Sequence, residues 1–587
     1  MAFGGEHKGS TGRTAALRVA IGFLAGLAIW LLKEAADQKV WPATQGPVFG
    51  LLAAVALGTP FVLLGGLADM RRRPLLAWTG AVTATLAFLG AYDFWRRGTG
   101  TGALWLSPEM MLMTAAALFV AHNLVEAADD DSRPIARYPT YFDLAWKHGV
   151  QLAASAAFVG VFWLVMNLGA ELFRLIGIDF LRRLIEKDWF VIPASGAMFA
   201  AAVQLTDVRH TLIRGIRTVA LTLLAWLMPV LVALAAAFLA SLPFTGLEPL
   251  WKTRSAAAIL LGAGAILVLL VNAAYQDGAA DDPPPAVLRW AARLGGLLLL
   301  PLVALGAYAL CLRIGQYGLT PERIIAASVA TVGAVYAVGY AAAAVVPGLW
   351  MKLLELTNVV AAFVAVALLL ALNSPVADPA RLSVADQMAR IEAGKVAADR
   401  VDYVFLRFEG ERWGMAALKT LKSKGGEIGK RAGDVLAMKA RPSPAGGRGR
   451  SEMIEAEAVA WATGSAPPPG FVGGKWPRQA ISSFRCQPKN PCTGLTRDLN
   501  GDGRLEVLLM SQGETELFEQ AGETGWRVAG QYRTAWCSGV EKAFKEGKVV
   551  TKPPAWPDLE LAGRRVTLDA TRTNCDGDRP ARPPVVD

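Results

Sequence analysis

The stretch LTNVVAAFVAVALLLALNSPVADPARLS, residues Leu356–Ser383, decides how the chain is organised. Its first part, up to Leu372, is an uncharged apolar run. That run is long enough for a helix to cross a bilayer, whose hydrocarbon core of about 30 Å needs roughly 20 apolar residues. Its second part contains two prolines and opens a charged region that bears cysteines. The stretch therefore predicts a last membrane span that leads into a water-soluble region.

The sequence before this stretch is a series of similar apolar blocks. The 587-residue chain is 53% hydrophobic and 18% charged, and the membrane-length blocks all lie before Asn373. We expect eleven spans, within a range of roughly ten to twelve. The blocks are Thr14–Leu32, Pro47–Leu67, Leu75–Trp95, Ala103–Ala121, Val150–Leu168, Phe190–Leu205, Val219–Leu239, Ala256–Ala274, Gly295–Leu312, Ile324–Val346 and Leu356–Leu372. In the first block, Gly22 and Gly26 have the GxxxG spacing typical of a helix-packing face.

The predicted fold is an all-α polytopic membrane bundle followed by a C-terminal soluble α+β domain with a β-rich end. The predicted domains are residues 1–373, which hold the membrane helices, 374–465, a soluble α/β segment, and 466–587, a small β-rich module. This division follows the composition, because ordinary densities of charged residues, Gly and Pro return only after Ser374.

The soluble α/β segment carries several local signals. A capping-box pattern at Ser383 and Asp386 predicts the start of a helix. Val401–Phe408 is typical of a strand and Trp413–Leu421 of a helix. The basic, Gly-rich sequence Lys422–Arg450 indicates a mobile stretch.

One connection between spans has the pattern of an amphipathic helix. In ELFRLIGIDFLRRLIEKDW, Glu171–Trp189, the apolar residues Phe173, Ile176, Phe180 and Leu184 recur at helical spacing, with charged residues on the other face. This pattern predicts a helix in the plane of the membrane interface. The alternative is an extension of a tilted span.

The net charge of +10 does not point to nucleic acid. Lys and Arg gather at the ends of spans and in the soluble part, as membrane proteins require, and no basic helix is interleaved with aromatic residues. A slight excess of these cations in alternate loops places the N-terminus in the cytoplasm. With an odd number of spans, the C-terminal region then lies outside the cytoplasm. The expected partners are the lipid bilayer and envelope proteins.

Polar residues within spans are candidates for function, because burying them in hydrocarbon is costly. Each could instead be satisfied locally at a span end, and both interpretations stay open for all five. The candidates are Glu109, His122, Asn167, Glu171 and Asn272.

Four stretches resemble a bacterial inner-membrane family that is catalogued as a domain of unknown function (the four-one-five-three family). They are YALCLRIGQYGLTPERI at Tyr308–Ile324, NSPVADPARLSVADQMARIEAGKV at Asn373–Val396, DYVFLRFEGERWGMAAL at Asp402–Leu418 and LPFTGLEPLWKT at Leu242–Thr253. The resemblance covers about Tyr138–Leu421. It implies a multi-pass protein of the bacterial cytoplasmic membrane and no reaction. In such a cell, the orientation expected from the loop charges places the C-terminal domain in the periplasm.

Four of the five cysteines lie in the β-rich module, and Cys311 lies in a span. An even number of cysteines in an exported region favours disulfides. We favour pairing Cys486 with Cys492, which closes a short loop, and Cys537 with Cys575. A zinc site is the alternative, although CQPKNPC followed by two isolated cysteines fits structural zinc poorly.

The motif DLNGDGRLE, Asp498–Glu506, has the spacing of a calcium loop. Oxygen ligands would come from Asp498, Asn500, Asp502 and Glu506 and from the Arg504 carbonyl, in the all-oxygen set that calcium prefers. An EF-hand would need Glu three residues later, where the chain has Leu509. The loop instead resembles the calcium hairpins of FG-GAP repeats. The alternative is a tight hairpin that binds nothing.

No enzyme signature is present. HExxH, GxSxG, GxxxxGK[ST] and GxGxxG are absent, and the four histidines, His7, His122, His148 and His210, all precede the soluble region. The sequence therefore favours a non-enzymatic membrane protein that anchors a periplasmic interaction or sensing domain. The alternative is a multi-pass transporter or lipid-linked carrier. A water-filled cavity lined by Glu109, Asn167 or Asn272 would favour transport, and a filled bundle with a docked tail would favour the anchor.

Overall fold

The computed structural model describes residues 7–98, 105–208, 210–248, 250, 253, 255–278, 283–347, 350–438, 458–472, 486, 491–511, 514–521, 525–533, 539–552, 559–561 and 564–566. The chain divides into two compact units, Met1–Ala437 and Met438–Asp587. The first unit thus includes the membrane helices together with a stretch of the predicted soluble segment.

The described secondary-structure elements of the membrane part are all helices. Its helices are α1 (His7–Asp37), α2 (Gly46–Asp69), α3 (Arg72–Arg97), α4 (Pro108–Asp130), α5 (Tyr138–Leu175), α6 (Phe180–Ile185), α7 (Asp188–Val208), α8 (His210–Thr245), α9 (Ala256–Tyr275), α10 (Ala286–Tyr317), α11 (Pro321–Val345) and α12 (Leu353–Leu372). Eleven of them, all except α6, are long and apolar enough to cross a membrane, which confirms the predicted bundle.

The ends of these helices follow from local sequence. Ser107 caps α4 by accepting a hydrogen bond from the Met110 N–H, and Thr320 caps α11 in the same way through Arg323. A proline follows each capping residue, where its missing N–H costs nothing. Outward-facing apolar side chains such as Leu164, 67% exposed, give the bundle a surface suited to lipid.

The GxxxG face predicted on α1 packs directly on α7. A Cβ atom on Gly22 would lie 2.3 Å from the Gly196 carbonyl oxygen, and one on Gly26 would lie 2.6 Å from the Ile192 carbonyl oxygen. Only glycine permits this approach of two helix backbones. The contact brings the start of α1 beside the end of α7, where a polar cluster lies.

The segment Glu171–Trp189, predicted to be one helix at the membrane interface, has a different structure. Helix α5 continues through Glu171 to Leu175, Gly177 then breaks it with a φ of +79°, and α6 covers only six residues. The prediction of one amphipathic helix across Glu171–Trp189 is therefore wrong. The apolar spacing was helical, but a glycine in the left-handed region ends the helix inside the motif.

Four helices follow the last span and belong to the first unit. They are α13 (Pro379–Glu392), α14 (Tyr403–Phe408), α15 (Glu411–Ser423) and α16 (Gly426–Ala437). Helix α13 starts earlier than the capping box at Ser383 predicted, because Asp378 accepts a hydrogen bond from the Arg381 N–H and Pro379 occupies the first turn. Ser383 is fully buried within the helix.

The strand predicted at Val401–Phe408 is wrong, and the helix predicted at Trp413–Leu421 is confirmed within α15. Asp402 accepts a hydrogen bond from the Phe405 N–H and starts α14, which buries Tyr403 and Leu406 one turn apart. Local aromatic and β-branched content favoured a strand, but the cap and the packing of α14 on α15 and α16 override it. Helix α16 lies within the stretch predicted to be mobile.

The second unit contains a small mixed sheet, which confirms the β-rich end. Strands β1 (Val459–Trp461), β2 (Cys492–Arg497), β3 (Glu506–Ser511), β4 (Glu514–Ala521) and β5 (Gly525–Arg533) lie in that order. Strands β1 and β2 are parallel, and each later pair is antiparallel. A separate pair, β6 (Leu559–Leu561) and β7 (Arg564–Val566), and helix α17 (Val540–Lys545) complete the described elements.

The core of the sheet explains how this short segment holds together. Phe471 packs edge-on against Phe518 and Trp526, with ring centroids 5.5 Å and 5.2 Å apart. Cys486 and Cys492 form a disulfide beside this core, which is the first pair that we favoured. Cys537 and Cys575 lie outside the described residues, so their pairing stays a prediction.

Candidate functional site

Three of the five polar candidates lie on the outside of the helices. Glu109 is exposed in the first turn of α4, where a carboxylate suits the helix dipole. Asn167 is exposed and donates to the Trp163 carbonyl of its own helix at 2.8 Å. Glu171 pairs with Arg174 at 3.4 Å and with Arg182 at 2.8 Å. Local contacts account for the positions of these side chains.

The fourth candidate, Asn272, belongs to a closed ring of hydrogen bonds. Its amide donates to the Tyr340 hydroxyl at 2.6 Å, and Tyr340 donates to the Asn358 Oδ1 at 2.8 Å. Asn358 in turn donates to the Asn272 Oδ1 at 2.6 Å and to the Tyr138 hydroxyl at 3.1 Å. A network that satisfies its own members fixes the packing of α5, α9, α11 and α12.

The fifth candidate, His122, is the centre of a different kind of site. His122 and Glu126 lie one turn apart on α4, and His148 faces them from α5. The His122 Nε2 lies 3.2 Å from the Glu126 Oε2, and the His148 Nε2 lies 3.6 Å from the same oxygen. All three side chains are at least 94% buried. We call these residues the histidine cluster.

Among the described residues, the facing atoms of this cluster have no hydrogen-bond partner. They are the Nε2 atoms of His122 and His148 and both carboxylate oxygens of Glu126. One ligand atom from each residue lies within 4.8 Å of the others, which is a spacing that can hold a metal ion. Two imidazoles and a carboxylate are a common ligand set for divalent transition metals.

Charged residues surround the histidine cluster at the same end of the bundle, and they pair with one another. Arg18, 1% exposed, contacts Asp207 at 2.8 Å. Lys147 bridges Asp69 at 2.6 Å and Asp207 at 3.5 Å. Two cations therefore face two aspartates. The Glu126 charge is left without a comparable partner among the described residues.

A second buried cluster lies at the other end of α3 and joins the bundle to the helices after the last span. Arg96 contacts Asp93 at 3.0 Å, Asp378 at 3.7 Å and Glu411 at 3.1 Å. Arg97 contacts Asp93 at 2.6 Å. We call these five residues the ion-pair cluster.

Further polar contacts support the ion-pair cluster. Tyr92 donates to the Asp378 carboxylate at 3.0 Å, and the Ser107 hydroxyl donates to Asp93 at 2.6 Å. Two guanidinium groups thus balance two aspartates, which leaves Glu411 as a third acid. Burial, with help from the nearby aspartates and against the opposing effect of Arg96, raises the pKa of Glu411 to about 7.

The predicted calcium loop connects β2 to β3 as an irregular hairpin. Asp498 accepts hydrogen bonds from the Gly501 N–H at 2.7 Å and the Gly503 N–H at 2.9 Å. Both glycines have positive φ, +77° and +80°. Buried Glu506 accepts from the Leu499 N–H at 2.7 Å. Calcium binding by this loop stays a prediction.

The sequence analysis missed Glu126 and His148 as site residues. The apolar blocks that marked the spans stopped at Ala121 and began again at Val150, whereas α4 continues to Asp130 and α5 begins at Tyr138. The signal was present, because His122 and Glu126 have the i, i+4 spacing of one helix face. Arg18 and Lys147, which surround the cluster, also lie within helices.

The eleven apolar helices define the class of the molecule as a multi-pass membrane protein. The family model described as "Domain of unknown function (DUF4153)" matches residues 50–410, which is more than half of the chain. The chain therefore belongs to this family, as the sequence motifs indicated. No curated protein and no solved structure matches it.

Proposed function

We propose that the protein is an anchor in the bacterial inner membrane that holds a C-terminal module on the periplasmic side. There the module would interact with or sense components of the envelope. The observation that carries this proposal is the ion-pair cluster. Its buried contacts from Arg96 to Asp378 and Glu411 tie α13 and α15 to the end of the bundle, as an anchor requires.

The sequence suggested that transport would use a cavity lined by the polar candidates. The positions of these residues favour the anchor instead. Glu109 and Asn167 are exposed on the outside of their helices, and Asn272 is satisfied within its ring of hydrogen bonds. A water-filled cavity lined by Glu109, Asn167 or Asn272 was the criterion for that route. The packing of α13–α16 on the end of the bundle supports the other criterion, a filled bundle with a docked tail.

A calcium-bound, disulfide-linked module suits an extracytoplasmic location. Free calcium is abundant outside cells, and loops of this type bind it with dissociation constants of about 0.1–1 mM. The Cys486–Cys492 disulfide favours an oxidising compartment. The disulfide supports the proposed orientation, in which the N-terminus is cytoplasmic, and calcium binding by the loop would agree with it.

One further observation favours transport or lipid carriage by the bundle as a second candidate function. A cavity of about 680 Å³ lies beside α8, the end of α9 and the start of α10, lined by residues that include Trp226, Tyr275, Arg289, Trp350 and Lys352. Aromatic rings beside Arg289 and Lys352 suit an anionic lipid headgroup, which would compete with Glu355, 2.7 Å from Lys352, and with Asp277 in the lining. The cavity lies at the start of α12, whereas the ion-pair cluster lies beyond its end.

A genetic test separates the two functions. A strain that lacks the gene would receive the full chain, a chain ending at Ala437, or a full chain with Arg289→Gln and Lys352→Gln. We expect the shortened chain to behave as the deletion under envelope stress, and the cavity variant to behave as the full chain. Complementation by the shortened chain, with failure of the cavity variant, would contradict the anchor.

A further inference from the structure

The histidine cluster contains buried groups that the anchor function does not use. Both Glu126 oxygens and the Nε2 atoms of His122 and His148 face one another, with no hydrogen-bond partner among the described residues. The 3.2 Å approach of His122 to Glu126 lacks hydrogen-bond geometry, so it does not satisfy either atom. A buried carboxylate that accepts no hydrogen bond costs several kcal/mol, so this arrangement calls for a cation.

The surrounding charges do not supply that cation. Arg18 and Lys147 pair with Asp207 and Asp69, so the four neutralise one another. Glu126 is therefore the acid that a bound ion would neutralise.

Hydrogen bonds behind His148 prepare its Nε2 atom as a ligand. The Asn123 amide nitrogen donates to the Phe119 carbonyl at 2.8 Å, which leaves the Asn123 Oδ1 facing the His148 Nδ1 at 2.9 Å. Because this oxygen can only accept, the Nδ1 atom carries the ring proton and the Nε2 atom has a lone pair. A partner that fixes the tautomer in this way is typical of histidines that bind metals.

His122 has a different partner. The Trp78 indole N–H donates to the His122 Nδ1 at 3.2 Å. Coordination through the Nε2 atom would move the ring proton to Nδ1 and break this hydrogen bond. Metal binding would therefore change the environment of Trp78, and His122 would be the weakest of the three ligands.

A glycine of α2 packs closely against His122. A Cβ atom on Gly65 would lie 2.6 Å from the His122 Nε2, so glycine at this position keeps the nitrogen accessible. Ligands about 2.1 Å from a tetrahedral metal lie about 3.4 Å apart. The observed separations of 3.2 Å and 3.6 Å bracket that value. One ring nitrogen of each histidine and one Glu126 oxygen lie within 4.8 Å of one another, so a small movement of the rings would join them on one ion.

We propose that His122, Glu126 and His148 form a binding site for a divalent transition metal of the zinc class within the membrane bundle. Two imidazoles and one carboxylate suit Zn²⁺, Fe²⁺ or Co²⁺, whereas Ca²⁺ and Mg²⁺ prefer oxygen ligands alone. This site lies at the opposite end of the bundle from the ion-pair cluster. Its existence does not depend on the anchor function.

The test measures metal binding by the full-length chain, purified in detergent and stripped of metal. Equilibrium titration with Zn²⁺, and with Co²⁺ as a spectroscopic probe, should give one strong site per chain. Glu126→Gln and His148→Gln should each weaken it at least about 100-fold. Gly65→Ala should weaken it without removing a ligand. Binding should also alter the fluorescence of the full chain, and the change should be smaller in Trp78→Phe.

The matched control is Glu109→Gln, the same substitution at the exposed end of the same helix. This variant should bind Zn²⁺ as the unaltered chain does. Thermal melting of every variant shows whether it is folded, and Gly65→Ala and Glu126→Gln carry the test if His148→Gln does not fold. Equal Zn²⁺ affinity in the unaltered chain and in folded Glu126→Gln would overturn the proposal. An absence of strong Zn²⁺ binding would also overturn the proposal. The histidine cluster would then hold a proton as its cation in place of a metal ion.

Discussion

The ion-pair cluster and the histidine cluster are both buried at ends of the bundle, but they differ in how their groups are paired. In the first, Arg96 and Arg97 contact three carboxylates, Tyr92 and Ser107 add hydrogen bonds, and only the Glu411 Oε2 atom has no hydrogen bond among the described residues. In the second, both Glu126 oxygens and the facing nitrogens of two histidines make no hydrogen bond among the described residues. Buried polar groups that satisfy one another hold a structure together, whereas unsatisfied groups indicate a ligand.

The largest effect should follow removal of the central cation of the ion-pair cluster. Arg96→Met keeps most of the side-chain volume but leaves Asp378 and Glu411 without their guanidinium partner. We expect a loss of about 3–5 kcal/mol in the free energy of unfolding, because an uncompensated charge stays buried. Thermal or denaturant unfolding of the purified chain measures it.

The control for this variant is Arg73→Met, at the exposed opposite end of the same helix. It should change stability by less than about 0.5 kcal/mol. If both variants unfold alike, the ion-pair cluster does not fix the tail helices to the bundle.

A smaller effect should appear as a pH dependence that Glu411 confers. Its pKa of about 7 in the folded chain exceeds its ordinary value of 4.5, so between these values the folded state holds a proton that the unfolded state releases. Its contribution to stability is present below pH 4.5 and is lost as the pH rises through 7. We expect the chain to lose about 1–3 kcal/mol on this account between pH 5 and pH 8.

Glu411→Gln isolates this contribution, because the amide cannot ionise. The difference in unfolding free energy between the variant and the unaltered chain should grow with pH from 5 to 8. A constant difference across that range would show that Glu411 does not titrate there.

The calcium loop allows a test of whether a carboxylate that already accepts backbone N–H groups can still bind an ion. Asp498 already accepts two N–H groups, as the first ligand of a calcium loop can do while it binds the ion. We expect 1 mM Ca²⁺ to stabilise the second unit by about 1 kcal/mol, and Asp498→Asn to remove the effect. Calorimetry of the full chain without heat at millimolar calcium would exclude the site.

The smallest effect on stability should come from the histidine cluster. In the metal-free chain, Glu126→Gln removes a buried charge that has no donor, so the free energy of unfolding should change by less than about 1 kcal/mol or rise. This outcome would sharpen the contrast with Arg96→Met. A loss of several kcal/mol would mean that Glu126 has a structural partner, and the distinction between the two clusters would fail.

The sequence predicted the bundle well because apolar length is a local property. Each block of about 20 residues, Leu356–Leu372 among them, marks a span without knowledge of its neighbours. The strand expected at Val401–Phe408 failed because Asp402 and contacts with α15 and α16 decide the helix. Packing between distant segments is not visible in a short window.

The candidate site was predicted in part for the same reason. His122 was recognised as a polar residue at a span end, but its partner His148 lies on the next helix and Arg18 lies on the first. Asp378 pairs with Tyr92, which lies 286 positions earlier in the sequence, and with Arg96 on the same helix as Tyr92. Such pairings follow from the fold of the whole bundle.

The central claim is that the bundle holds its C-terminal module in the periplasm, and a topology measurement tests it most directly. Alkaline phosphatase fused after Asp587 should be active, and a green fluorescent protein at the same position should be dark. The same reporters fused after Arg133, between α4 and α5, should give the opposite pattern. A fluorescent and phosphatase-inactive fusion after Asp587 would contradict the account.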